Sequence, residues 1–350
     1  MMSSRAQSHN SDRPPISVVV CTRNRGDNVL PTAETILKQS SSDFELLILD
    51  QSDDDSTERA LVALTADPRL RYHRLDLPGK PLALNRALEL THTPYLVITD
   101  DDCEVAADWL ESLVEAFESD PKVGCIFGDV SAAPHDSDKG FIPVNLLTRD
   151  RTISQLWDFL RMPGLVNFGI GANLAVRRDA IDGMGGFDPC VGPGAKYGYA
   201  DDHDLAVRML LAGWRVHFSS KARVVHFGFR EWKHSAEDVR RTGYGFGATF
   251  AKYLRCGKIY YGSLRILAYF FAQIAWRGIR FKRPLGVAFP TGWVHGFRDG
   301  MRQPLDKSTH CFRPTGTEEI LRYGGNISKV VLRAQQTDNE SDEAQRTGVP

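Results

Sequence analysis

Residues 95–102 read YLVITDDD, an apolar run of strand-forming residues that leads directly into three consecutive carboxylates. Two further apolar runs, ISVVVC at 16–21 and FELLILD at 44–50, have the composition of strands buried on both faces of a parallel sheet. Helical patterns separate the strands, near residues 29–39, 57–65 and 82–90. This alternation predicts an α/β fold, with a doubly wound, mostly parallel sheet flanked by helices.

Acidic residues follow two of the predicted strands, where ligands bind in sheets of this kind. Asp50 ends one strand, and Asp100, Asp101 and Asp102 follow another. Strand alternation predicts that Asp100 and Asp102 point to one side, and two oxygen donors there suit Mg²⁺ or Mn²⁺. His226, after a short apolar strand, is a candidate third ligand. The alternatives are a solvated acidic turn and a structural histidine.

The segment ADDHDLAVRMLLA has a strong helical pattern over residues 202–212. Asp201 or Asp202 is expected to cap this helix, and its N-terminus favours an ionised carboxylate. Such a carboxylate could act as a general base toward a hydroxyl group, with simple capping as the alternative. Asp204 and Arg208 are four residues apart and are expected to pair on the helix surface.

Composition excludes several classes of protein. The chain has 350 residues, of which 42% are hydrophobic and 25% charged, so it is neither wholly disordered nor a polytopic membrane protein. Its net charge of -1 lacks the bulk basicity of nucleic-acid binders. None of the six cysteines forms a CxxC pair, which fits a reducing, cytoplasmic compartment.

Charge is distributed unevenly along the chain. Residues 1–110 contain 11 Lys or Arg and 18 Asp or Glu, whereas residues 221–310 contain 17 and 5. The basic end predicts an anionic partner, and basic residues within 255–283 suggest peripheral contact with the inner face of a membrane. Solvated helix faces are the alternative. The apolar stretch 264–276 is too short for a bilayer span and is either a buried or an interfacial helix.

Seven segments together resemble the family 2 glycosyltransferases of the GT-A fold, in the order of that family and over about residues 16–226. They are ISVVVCTRNR (16–25), FELLILDQSDDDST (44–57), GKPLALNRAL (79–88), YLVITDDDCEV (95–105), GANLAVRRDAIDGMGGFDP (171–189), ADDHDLAVRMLLAGWRV (200–216) and SKARVVHFG (220–228).

The resemblance implies a GT-A catalytic domain over residues 15–230, with a nucleotide-binding half (15–105) and an acceptor half (106–230). It leaves a disordered lead (1–14), a basic helical extension (231–310) and a disordered tail (333–350). The lead has no apolar stretch of the kind found in secretory signals.

The resemblance also implies how the donor is bound. Asp50 matches the acid that contacts the nucleobase or ribose, and Asn173 lies in a segment near the sugar. Three residues after the first strand match the lining of the nucleotide pocket: Thr22, Arg23 and Arg25.

Metal binding and catalysis are assigned in the same way. Asp100 and Asp102 match the outer carboxylates of the DxD motif. Asp102 would bind the metal on the donor diphosphate, and Asp100 would contact the metal, ribose or sugar. His226 matches a metal ligand. Asp202 matches the catalytic base, although Asp201 replaces the usual glutamate and could take that role.

The implied activity is that of an inverting, metal-dependent glycosyltransferase using Mn²⁺ or Mg²⁺. It would move a sugar from a nucleotide sugar, with a UDP-sugar expected, to a hydroxyl of a lipid-linked acceptor or glycan precursor. A catalytically silent nucleotide-binding scaffold is one alternative. A nucleotidyltransferase is another, disfavoured because CTRNRGDN (21–28) has a single glycine where a triphosphate loop needs several.

Overall fold

The computed structural model describes residues 16–156, 158, 169–258 and 287–316. The strands of these residues are β1 (Ile16–Thr22), β2 (Phe44–Asp50), β3 (Leu70–Arg74), β4 (Tyr95–Asp100), β5 (Cys103–Val105), β6 (Val123–Ala132), β7 (Gly140–Phe141), β8 (Arg151–Ile153), β9 (Leu174–Arg177), β10 (Arg215–His226), β11 (Arg230–Glu231), β12 (Leu305–Asp306) and β13 (Cys311–Phe312). The helices are α1 (Val29–Leu37), α2 (Ser56–Leu61), α3 (Lys80–Leu90), α4 (Trp109–Ser119), α5 (Arg178–Gly183), α6 (Asp201–Leu211), α7 (Ser235–Arg255) and α8 (Ala288–Gly300).

The main sheet has the order β3-β2-β1-β4-β9-β6-β10-β5, with β8 also paired to β10. Strands β3, β2, β1 and β4 form one parallel group, and β6 and β10 are parallel to each other. Strand β9 is antiparallel to both β4 and β6, while β5 and β8 are antiparallel to β10. The predicted α/β class is confirmed, and the sheet is mixed because β9 is inserted between the two parallel groups.

The central strands bury both faces, which explains their continuous apolar runs. Val19 belongs to a core cluster that includes side chains of α3 and α6. Val18 and Val20 belong to a second cluster, on the opposite face, with side chains of α1 and α4. The parallel register places Thr22 opposite Asp50 and Cys21 opposite Asp100, so the polar ends of β1, β2 and β4 meet at one edge.

Two local expectations are wrong. Helix α6 has Ala200 as its N-cap residue, with a φ of 82° and no side-chain cap, so neither Asp201 nor Asp202 caps it. Asp204 and Arg208 do not form a surface pair, because both are buried. Helix α6 faces the sheet core on one side and α7 on the other, where Tyr253 donates a hydrogen bond to Asp204.

The extension after the sheet is helical, as predicted, in its described parts. Helices α7 and α8 approach closely, since a Cβ added at Gly296 would lie 1.9 Å from the Tyr244 carbonyl oxygen. Within the described ranges, no helix is long and apolar enough to cross a membrane. The lead 1–14, the stretch 264–276, the tail 333–350 and most of the basic segment 255–283 lie outside the described residues.

Candidate active site

A cleft of about 940 Å³ opens beyond the carboxyl ends of β1 and β4. Turns after three strands form much of its wall, because parallel strands end at a common edge. The predicted residues that line it are Thr22, Arg23, Arg25, Asp100, Asp102 and His226. Asp101 lines it as well.

Asp102 and His226 face each other in this cleft. The Nε2 atom of His226 lies 3.3 Å from an Asp102 carboxylate oxygen, and Nδ1 lies 3.1 Å from the carbonyl oxygen of Pro143. A carbonyl only accepts, so Nδ1 carries a proton and Nε2 is the atom presented to Asp102. Burial alone would lower the pKa of His226, but its hydrogen bonds to Asp102 and Pro143 raise it overall.

The three consecutive aspartates have different partners. Asp100 contacts the ammonium group of Lys80, and Asp101 accepts a hydrogen bond from Thr22 at 2.6 Å. Arg25 contacts Asp102 and lies 3.4 Å from Asp101. Strand alternation predicts that Asp101 points away from Asp100 and Asp102, but all three side chains line the same cleft. The alternation stops here because β4 ends at Asp100 and a turn follows.

Asp102 and His226 could hold a divalent cation. Their ligand atoms and that of Cys103 lie within 4.8 Å of one another. Burial raises the pKa of the Cys103 thiol, which disfavours the thiolate that a metal requires. A Cβ at Gly228 would come within 2.4 Å of His226 Nε2, so the missing side chain leaves space beside this atom. Asp102 and His226 therefore offer one oxygen and one nitrogen ligand for a divalent cation, while Arg25 contacts Asp102 as Lys80 contacts Asp100.

Two candidate donor-binding residues are not among those that line the cleft. Asp50 is fully buried and accepts hydrogen bonds from the Ser52 amide at 2.9 Å and from Tyr72 at 2.8 Å. Asn173 is also buried and uses its side-chain amide to bind the Trp109 indole and two backbone carbonyls. Both side chains are hydrogen-bonded within the protein, and their direct contact with a donor stays a prediction.

Arginine side chains supply donor groups at the same edge. The Nε atom of Arg23 is buried and has no hydrogen-bond partner within the described residues. Its guanidinium group lies 3.8 Å from Asp53. An unsatisfied buried N–H is costly, so Arg23 is suited to bind an acceptor oxygen of a ligand. Arg25 is 40% exposed and presents a second guanidinium group.

Asp201 and Asp202 line a small pocket directly behind Lys80, which also lines the main cleft. Asp202 accepts a hydrogen bond from the Gly171 amide at 2.9 Å. A Cβ at Gly171 would lie 2.8 Å from Asp202 Oδ1 and 3.2 Å from Lys80 Nζ, so both groups border the same point. Burial raises the pKa of Asp201 to about 6 and that of Asp202 well above its usual value, which the Asp201 charge raises further.

Sequence reasoning missed the role of Lys80 and of Gly228. A lysine in the first turn of a helix is unfavourable next to the helix dipole, and Lys80 begins α3. That position was a usable signal, because only nearby carboxylates would favour it. Gly228 carried no comparable signal, since its role depends on how closely the turn after β10 passes His226.

Residues 17–184 match Glycosyl transferase family 2. The matched segment, just under half of the chain, is a glycosyltransferase family 2 sequence. Two relatives support the assignment. Glucosyl-dolichyl phosphate glucuronosyltransferase from Haloferax volcanii is 24% identical over 220 residues, which are 60% of this chain and 68% of that protein. β-Monoglucosyldiacylglycerol synthase from Trichormus variabilis is 26% identical over 211 residues, which are 58% of this chain.

This chain spans only 42% of the length of the second relative. Its fold resembles that of the mannosyltransferase PcManGT from Pyrobaculum calidifontis, solved in complex with GDP-Man and Mn²⁺. The TM-score is 0.53 and the identity 20%, over 85% of this chain and 77% of that one. The GT-A fold inferred from the sequence is thereby confirmed.

Proposed function

We propose that this chain is an inverting, metal-dependent glycosyltransferase that uses a nucleotide sugar, with a UDP-sugar as the expected donor. One observation carries the proposal. Lys80 contacts Asp100 in the main cleft and lies beside Asp202 in the pocket behind it, so the candidate metal site and the candidate base share one wall.

The cleft has groups suited to a nucleoside diphosphate. Arg23 and Arg25 offer guanidinium groups for phosphate oxygens, and Asp102 with His226 would hold Mn²⁺ or Mg²⁺. When bound, the cation neutralises the charge that builds on the departing diphosphate. The Ser52 hydroxyl donates a hydrogen bond to Asp50, and its oxygen accepts one from the Asn24 amide at 2.8 Å. Asp50 would therefore act on the donor indirectly, by holding the turn that contains Asn24.

Asp202 is proposed as the general base. Its raised pKa places proton uptake nearer to neutral pH than for an ordinary aspartate, which suits a base. The acceptor oxygen forms a bond to the anomeric carbon as the bond from that carbon to the phosphate oxygen breaks. The hydroxyl proton passes to Asp202. A single displacement of this kind inverts the anomeric centre. Asp201, in the same pocket, is the alternative base.

The acceptor is proposed to be a lipid-linked sugar or a glycan precursor. The two relatives are named for a dolichyl phosphate and for a diacylglycerol. Peripheral membrane contact through residues 255–283 stays a prediction. Co-sedimentation with anionic liposomes tests it, and absence of salt-sensitive binding would contradict it.

A panel of nucleotide sugars tests the function directly. With Mn²⁺ present, one donor should raise the melting temperature, because a ligand that binds the folded state stabilises it. Slow release of nucleoside diphosphate from that donor should follow, and a chelator should abolish it. Binding without any release would favour a scaffold. Condensation of a sugar phosphate with a nucleoside triphosphate would favour a nucleotidyltransferase.

A further inference from the structure

A second cavity, of about 600 Å³, adjoins the main cleft. The two share the walls formed by Pro193, Gly194 and Arg230. The rest of the second cavity is formed by the loop before α6 and by the first half of α7: Ala195, Lys196, Gly198, Tyr199, Glu237, Arg240, Arg241 and Tyr244. None of these residues belongs to the proposed metal site or is a candidate base.

The lining of this cavity is strongly basic. Four cationic side chains surround it, and Glu237 is the single carboxylate among its lining residues. Glu237 is shared by two of the cations, since it accepts two hydrogen bonds from Arg240, at 2.8 and 2.7 Å, and one from Arg241 Nε, at 3.0 Å. Among the side chains that line the cavity, cations therefore outnumber carboxylates four to one.

Arg230 is the cation on the boundary between the two cavities. Within the described residues, no carboxylate lies within ion-pair distance of its guanidinium group, which is 5.9 Å above the ring of Tyr199. Two further acids, Asp238 and Asp299, do not line the cavity but accept hydrogen bonds from the hydroxyls of Tyr199 and Tyr244, which do. Arg230 is thus available to an anion that enters from either side.

We infer that this cavity is an acceptor subsite that binds a phosphate ester attached to the sugar that receives the transfer. The inference rests on the proposed function, because an acceptor exists only if the chain transfers sugar. Several guanidinium groups around one space match the oxygens of a phosphate. The shared wall would place an acceptor beside the donor, and the rings of Tyr199 and Tyr244 would contact the carbon skeleton near the phosphate.

Octyl phosphate is a suitable probe, used with the full chain saturated with UDP and Mn²⁺ so that the donor cleft is occupied. Calorimetric titration should show binding that weakens about tenfold or more in Arg241→Gln and further in the double variant Arg240→Gln/Arg241→Gln. Arg86→Gln is the matched control, because Arg86 also pairs with a glutamate three residues away and is 49% exposed, compared with 44% for Arg240.

The inference is overturned if octyl phosphate does not bind, or if wild type and the double variant bind it equally well. It is also overturned if Arg86→Gln loses as much affinity for octyl phosphate as the double variant. Octyl glucoside should bind at least tenfold more weakly than octyl phosphate. Equal affinity for inorganic phosphate and octyl phosphate would assign the cavity to the free ion and reject the acceptor role. Failure of UDP, GDP and TDP to bind in the presence of Mn²⁺ would contradict the proposed function instead. The octyl phosphate titration could then still be carried out on the nucleotide-free protein.

Discussion

His226 Nε2 lies 3.3 Å from a carboxylate oxygen of Asp102, although His226 ends β10 and Asp102 follows β4. Backbone pairing produces this proximity. Strand β5 runs antiparallel to β10 with Cys103 opposite His226, and the Phe227 amide donates to the Asp102 carbonyl at 2.8 Å. The two side chains are therefore positioned by the pairing of strands β5 and β10.

This arrangement predicts that His226→Gln weakens Mn²⁺ binding. Loss of the imidazole removes one of two donors, so the affinity should fall at least about tenfold, which is the scale of effects seen even when a residue behind a ligand is removed. Titration of Mn²⁺ followed by electron paramagnetic resonance measures this without any substrate. Asp43→Asn, at an exposed acid away from the cleft, is the control. Unchanged Mn²⁺ affinity in His226→Gln would remove this residue from the metal site.

The second prediction concerns the two aspartates that begin α6. Asp202→Asn should keep nucleotide-sugar binding and lower kcat by about 10²- to 10⁴-fold, the usual contribution of general-base catalysis. Asp201→Asn should have the smaller effect on kcat. Single-turnover assays together with donor titrations separate the two quantities. The reverse order of the two variants would assign the base to Asp201, and normal turnover by both would reject a base in this pocket.

The strands and the acid-rich edge could be predicted from the sequence because both depend on local patterns. Continuous apolar runs indicate strands buried on two faces, and Asp100 follows such a run. The position of β9 could not be predicted in the same way. It lies between β4 and β6 although it comes later in the chain than either, and strand order depends on long-range packing.

Buried charge was the other feature that local pattern could not predict. Four-residue spacing suggested that Asp204 and Arg208 pair on a helix surface, yet Asp204 contacts Lys252 and Arg208 Nε donates to the Thr309 carbonyl at 3.1 Å. Spacing along one helix says nothing about a second helix that covers it. Here α7 contacts Asp204 and the segment at Thr309 contacts Arg208, and both come later in the chain than α6.

His203 predicts a specific dependence of stability on pH. Its ring is buried, 4.8 Å from that of Phe246, and burial lowers the pKa to about 3 from an ordinary 6.5. Between these values the unfolded chain binds the extra proton, so the free energy of unfolding falls as the pH falls, by up to about 1.4 kcal/mol per unit. His203→Leu should reduce this slope in urea melts between pH 6.5 and 4. Exposed His92→Leu is the control, and a wild-type slope in His203→Leu contradicts the assignment.

Lys252 predicts a large loss of stability when it is replaced. Its ammonium group is fully buried, 2.7 Å from Asp188 and 2.5 Å from Asp204. Lys252→Met leaves two carboxylates facing each other without a cation, which should cost about 3–5 kcal/mol in guanidinium unfolding. Lys38→Met removes a 73% exposed partner of Glu34 and should cost less than about 1 kcal/mol. Similar losses of unfolding free energy in the two variants would show that the buried ion pairs stabilise the fold no more than an exposed one.

The contact between α7 and α8 predicts that glycine is required at position 296. An added Cβ would lie 1.9 Å from the Tyr244 carbonyl oxygen, so the two helix backbones would have to separate. Gly296→Ala should therefore lower the free energy of unfolding by about 1–3 kcal/mol, despite the better helix propensity of alanine. Gly183→Ala, at the end of α5 with nothing within 4 Å of the new Cβ, is the matched control and should be neutral or slightly stabilising. Guanidinium unfolding of both variants measures the difference, and equal midpoints would mean that the helices are not held at this distance.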